Sequence, residues 1–138
     1  MPADYLIVDT DAFSYLFGKK PQAASYGPLL SGKIPAVAFV TLAEVRFGAL
    51  AASWGDRRTT ELEASLRQFL MLPFTEDLTS LWARLKADAR RNGHPLAQPE
   101  HSNDLWIAAC GAYYQAPILT GNARHFADLP GVQVIDGS

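Results

Sequence analysis

The sequence has a single cysteine, Cys110, which excludes an internal disulfide, a redox pair and a thiolate metal cluster. That usage suits a reducing cytosol. Long hydrophobic runs are missing too: the apolar stretches Tyr5–Val8 and Leu105–Tyr114 fall well short of the roughly 20 residues a spanning helix needs. Residues 1–11 lack the basic start of a secretory leader. Charge of one sign is scarce, with 12 Lys and Arg against 14 Asp and Glu for a formal net charge of -2. A histone-like, globally basic binder is thereby excluded, and any contact with nucleic acid must use a local group of cations. What is present is ordinary for a folded chain: 49% hydrophobic and 19% charged residues, 10 Gly and 9 Pro in 138. One cytoplasmic domain over residues 1–138 is expected, with no membrane segment and no space for a second full domain.

Short apolar runs alternate with segments of helical spacing. Tyr5–Val8 reads as a buried strand that ends at Asp9-Thr10-Asp11, where a helix starts. Residues 36–40 (AVAFV) read as a second strand, with a helix opening at Thr41. Residues 71–74 (MLPF) are a weaker strand, restricted to an edge by Pro73, and 117–120 (PILT) and 132–135 (VQVI) complete the set. Leu62, Leu66, Phe69 and Leu70, and then Leu78, Leu81, Trp82 and Leu85, mark two amphipathic helices. Ser102-Asn103-Asp104 caps a more uniformly apolar helix over Leu105–Tyr114. Residues 92–102 (NGHPLAQPEHS) read as a mobile loop. The alternation predicts an α/β fold, with a central parallel sheet of four to five strands flanked by helices on both faces.

In such sheets ligands bind beyond the carboxyl ends of the strands. Asp9 follows the first strand, Glu44 falls in the first turn of the helix after the second, and Asp104 falls in the first turn of the helix before the fourth. Three carboxylates facing one cleft would repel, and a hard cation such as Mg²⁺ or Mn²⁺ resolves that conflict with oxygen ligands. Each acid also has a local reading. Thr41-x-x-Glu44 matches a capping box, Asp104 suits a helix dipole, and Asp9 suits a cap or turn.

LIVDTDAFSYLF at 6–17, AFVTLAEVRFGAL at 38–50, NDLWIAACGAYYQAPILTGNARHF at 103–126 and LPGVQVI at 129–135 together resemble the PIN-domain ribonucleases, most closely the VapC-type toxins of bacterial toxin-antitoxin pairs. The resemblance spans nearly the whole chain. It implies a PIN-like fold and a metal-dependent endoribonuclease using Mg²⁺ or Mn²⁺, with Asp9, Glu44 and Asp104 as catalytic and metal-holding acids. It also implies an RNA substrate, a homodimer, and a small antitoxin whose segment covers the acidic cleft. A further position, acidic in many members, falls here on Asn122, which has an amide to orient water or phosphate but no charge. Thr120 is placed to bond a carboxylate or water, or else to satisfy a strand end. Asp11 reads as a helix cap, with a supporting part in the metal site as its alternative.

Two other functions fit parts of the pattern. A catalytically silent PIN domain that partners a DNA-binding protein is compatible with Asn122. The Asp9-x-Asp11 pair also resembles the first motif of HAD phosphohydrolases, although no later Lys and acidic-pair motif accompanies it. Among the cations, Arg46 and Arg124 lie nearest the acids in sequence and are the candidate RNA phosphate contacts, Arg46 alternatively pairing with a carboxylate. Lys19-Lys20, Arg57-Arg58 and Arg90-Arg91 read as solvated helix ends. His94, His101 and His125 have no paired ligand spacing on one helix, which argues against a zinc site. Trp82 and Trp106 read as core or interface residues, and Trp54 as an exposed anchor for a base or a partner.

Overall fold

The computed structural model describes residues 4–138. Residues 1–3, the start of the segment read above for a leader, lie outside it. Strands β1 (Tyr5–Val8), β2 (Ile34–Ala38), β3 (Leu70–Leu72), β4 (Ile118–Thr120) and β5 (Val134–Asp136) form one five-stranded sheet in the order β3-β2-β1-β4-β5. Every neighbouring pair is parallel, as the alternation of strands and helices requires. The connections run outward from β1 through β2 to β3, then return across the sheet to β4. The topology therefore reverses between β1 and β4.

The helices are α1 (Thr10–Phe17), α2 (Tyr26–Leu30), α3 (Phe39–Ala51), α4 (Asp56–Leu66), α5 (Glu76–Arg91), α6 (Ser102–Tyr114) and α7 (Ala123–Phe126). Successive strand residues point to opposite faces, so the inner strands feed two cores. Leu6, Val8, Val37 and Leu119 pack with Phe13 of α1, Val45 and Ala49 of α3, and Leu62 and Leu66 of α4. Ile7, Ala36, Ala38 and Ile118 pack with Leu78 and Leu85 of α5 and with Leu105, Ile107 and Ala108 of α6. The sheet is thus covered on both sides, which leaves its rims, the carboxyl end among them, for polar chemistry.

Several boundaries differ from expectation. Residues 36–40 are not all strand: β2 ends at Ala38 and α3 opens at Phe39, so the helix does not start at Thr41. Phe39 and Val40 are apolar in either conformation, and a short apolar run does not by itself separate a strand from a buried helical turn. The helix expected through Leu70 stops at Leu66, because Leu70 joins β3 by pairing with Ala36 of β2. Phe69 still reaches the same core, edge-on to Phe13 at 5.3 Å. β3 is an edge strand, with Pro73 just past its end. Residues 92–102 are not an irregular loop. They form two 3-10 turns around the fully buried Leu96, and the ring nitrogens of His94 meet Leu96 N at 3.1 Å and Ala127 O at 2.7 Å. Trp54 is half-buried, not exposed: it stacks on Phe17 at 5.7 Å, and the Arg58 guanidinium lies over both rings, 4.3 Å from Trp54 and 5.1 Å from Phe17.

Candidate acidic site at the carboxyl end of the sheet

β1 and β4 end side by side at the reversal point, and their last residues deliver Asp9 and Thr120 to the same crevice. Asp9 is the N-cap of α1. Its extended backbone lets Oδ1 accept the Ala12 amide at 2.8 Å, satisfying one of the orphan donors of the first turn. Its side chain is 6% exposed. The fully buried Thr120 hydroxyl accepts the Asn122 amide at 3.0 Å and bonds the Asp9 carboxylate. Burial raises the Asp9 pKa to about 6 against the lowering effect of the Thr120 and Ala12 bonds, and the charges of Asp11 and Asp104 add to the rise. Both acids are thus within electrostatic reach of Asp9.

Glu44 is not a capping residue. With α3 starting at Phe39 the N-cap is Ala38, which makes no side-chain cap bond, and Glu44 falls in the second turn. The Thr41 hydroxyl is buried and lies 3.0 Å from that of Thr10, which donates at 2.6 Å to Glu44 Oε1. Thr10 therefore ties the start of α1, and with it Asp9, to the middle of α3. On its other side Glu44 shares a recess with Asn103, the neighbour of Asp104, and with Ala43 and Phe47. The chain neighbour of Asp9 thus bonds Glu44, and that of Asp104 lines the same recess as Glu44.

Asp104 lies in the first turn of α6, and its Oδ2 is 2.9 Å from His125 Nε2 of α7. Asp11 occupies the first turn of α1 and is exposed; the capping expected of it is performed by Asp9. A cavity of about 480 Å³ opens beside Asp9 and Asp11, lined also by Tyr15, Tyr26, Thr120 and Asn122; neither Glu44 nor Asp104 is among its lining residues. The cations divide. Arg46 takes the second of its two readings, a bidentate pair with Glu63 at 2.8 and 3.0 Å, while Arg124 is exposed on α7 beside Asn122. Arg57 and Arg91 pair with Glu61 and Asp88 on their own helices, as solvated helix ends do.

The carboxylates of Asp9, Glu44 and Asp104 do not all come within 4.8 Å of one another; among the described residues the one group of three potential ligands that does is His101, Asp104 and His125. The separated acids still suit a hard cation, which binds through one or two carboxylates and keeps several waters to reach the rest. Although no two histidines share a ligand spacing on one helix, His101 and His125 come together at Asp104 because His125 arrives on a different element. The overlooked signal was His101-x-x-Asp104, since three residues apart at a helix start puts both side chains on one face. Thr10 was overlooked as well, since nothing local marks a threonine that bonds a partner on another helix.

A family model for the PIN domain matches residues 6–132. Ribonuclease VapC5 of Mycobacterium tuberculosis is 36% identical over 103 residues, covering 73% of each chain. The solved VapBC-5, a member of the VapBC family of toxin-antitoxin systems from the same organism, superposes with a TM-score of 0.71 at 30% identity over 96% of this chain and 98% of that one. VapBC2 of Rickettsia felis, crystallised on a DNA fragment from its promoter, superposes with a TM-score of 0.81 over 96% and 98% of the two chains. At 19% identity it speaks for the fold alone. Match, relatives and the acid-bearing rim of a β3-β2-β1-β4-β5 sheet agree, and the chain belongs to the PIN-domain family.

Proposed function

We propose that this single domain, residues 1–138, is a metal-dependent endoribonuclease and the toxin of a toxin-antitoxin pair. The carrying observation is the buried Asp9 at the β1/β4 reversal, held by Thr120 and facing the charge of Asp104, with Glu44 joined to it through Thr10. The related proteins named ribonuclease and the toxin-antitoxin complexes of the same fold support the reading.

In this reading Asp9, Glu44 and Asp104 hold Mg²⁺ or Mn²⁺, directly or through water. When bound, the ion supplies Lewis-acid polarisation of a phosphoryl oxygen. The chain's own groups do the positioning. Ala12 N–H and the Thr120 hydroxyl orient the Asp9 carboxylate, Thr10 orients Glu44, and His125 fixes one oxygen of Asp104. Asn122 offers its amide to a phosphate or a water at the mouth of the cavity, and its lack of charge favours one ion over two. Arg124 is the phosphate contact, since the guanidinium of Arg46 is engaged by Glu63. Asp11 supports the site from the cavity wall.

In this reading the antitoxin segment covers the acidic cleft and runs on over α3, where the 70% and 80% exposed Phe47 and Leu50 support its docking next to the Glu44 recess. An apolar flank beside anionic groups suits an amphipathic segment carrying a cation. A homodimer in the cytoplasm completes the proposal; no helix among the described residues is long and apolar enough to cross a membrane.

Purified protein with Mn²⁺ and a structured RNA tests the activity. Cleavage is expected, with loss on chelation and a fall of more than about 100-fold in Asp9→Asn and Asp104→Asn, as befits removal of a charged ligand. Absence of cleavage with intact antitoxin binding would instead favour a silent binding module.

A further inference from the structure

His101 closes the 3-10 turn before α6, Asp104 lies one turn on, and His125 comes in from α7 after β4. His125 Nε2 is 2.9 Å from Asp104 Oδ2, and the ring of His101 stands edge-on to that of His125 with centroids 4.4 Å apart. One ligand atom from each residue lies within 4.8 Å of the other two, and all three side chains are half-buried. A hydrogen bond that merely orients Asp104 needs one imidazole. The second ring, turned to the same point, adds a nitrogen donor that such a bond does not use.

We infer that His101, Asp104 and His125 form a binding site for a borderline divalent cation, for which Zn²⁺ is the best match. Two imidazoles and one carboxylate are the donor set that zinc takes in open sites, with the fourth position left to water. Mg²⁺, which demands oxygen ligands, is poorly served by the same set. Tetrahedral zinc with bonds of about 2.0–2.1 Å places its ligands about 3.3 Å apart. His125 Nε2 is already within that spacing of Asp104, and the remaining ligand atoms, within 4.8 Å of one another, have to draw in by about 1.5 Å or less. The site is distinct from the carboxylate centre but shares Asp104 with it. Resting here on the nuclease reading, zinc at this position withdraws Asp104 from the hard cation and acts as an inhibitor.

The test uses the full chain, freed of metal by chelation and dialysis and titrated with Zn²⁺ alone against a chromogenic chelator. Co²⁺ serves as a spectroscopic probe of the geometry. One equivalent per chain is expected, with affinity at least tenfold weaker in His101→Gln and in His125→Gln and far less affected in Asp9→Asn, which removes a nearby charge but no ligand. Co²⁺ should give the visible absorption of a four-coordinate site, lost in both histidine variants. Thermal melting of each variant controls for folding, and His101→Gln, which gives up no side-chain hydrogen bond among the described residues, remains informative if His125→Gln melts early. No binding by the unaltered chain, equal affinity in the histidine variants, or affinity lost in Asp9→Asn would overturn the inference. Because binding is read without RNA, it succeeds or fails independently of cleavage.

Discussion

At the scale of single residues, the site is controlled by how Asp9 is buried. Its folded pKa of about 6 lies above the unfolded value near 3.8, so between these values the folded state holds more proton than the unfolded one. Stability of the metal-free protein therefore falls as pH rises through that window and levels off above it. Asp9→Asn, neutral at every pH and still able to accept the Ala12 amide, should remove this fall. It should make the chelated protein more stable at pH 7 by an amount on the order of 1–3 kcal/mol, read from denaturant unfolding at several pH values. A variant whose pH profile overlays that of the parent would show that Asp9 ionises freely in the fold. Glu44 depends on Thr10 in a different way. Thr10→Val keeps the shape but removes the donor to Oε1, and Mn²⁺-supported cleavage should drop about 10- to 100-fold with the fold intact. Full activity in that variant would free Glu44 from any need of positioning. Asp9 was legible as a candidate in the sequence because a buried strand ended on it. Thr10 was not, since its partners lie on α3, more than thirty positions away.

Elements decide where these residues meet. The close approach of α6 to β4 sets Asp104 and Thr120 on the same rim, and Gly111 permits it: a Cβ there would lie 3.0 Å from Ile118 Cδ1 and 3.2 Å from Ala116 O. Gly111→Val should cost about 1–3 kcal/mol through overpacking, seen as a lower melting temperature, and pairing it with Ile118→Ala should recover part of the loss. Equal melting temperatures for the variant and the parent would mean that the helix moves outward without penalty. The five strands and helices α1, α3, α4, α5 and α6 were legible in the pattern, but the short α2 and α7 were not, and several ends fell elsewhere. The α3 start was misplaced because Ala38 caps without a side-chain signal, and Glu44 consequently looked like a cap when it is a mid-helix residue bonded across to α1. Residues 92–102 looked like a free loop because Pro and Gly speak of turns; the burial of Leu96 under α5 and α6 is a tertiary fact.

For the whole molecule, a sheet covered on both faces leaves α3 with an apolar outer surface that the core does not need. Phe47→Asp with Leu50→Asp should leave thermal stability nearly unchanged, because both side chains are already in solvent, and should weaken antitoxin binding by tenfold or more in a titration. Unaltered binding would move the antitoxin elsewhere on the surface. The sequence by itself determined the α/β class, the parallel sheet, the strand-end acids and the resemblance that spans the chain, because buried strands and amphipathic helices write their periods locally. Only the tertiary structure decided that Glu44 is held by Thr10, that Arg46 is taken by Glu63, and that His101 and His125 gather on Asp104. Those contacts join residues whose separation along the chain is bridged by the sheet, and no local pattern encodes the distance between two side chains that meet only after the strands have paired.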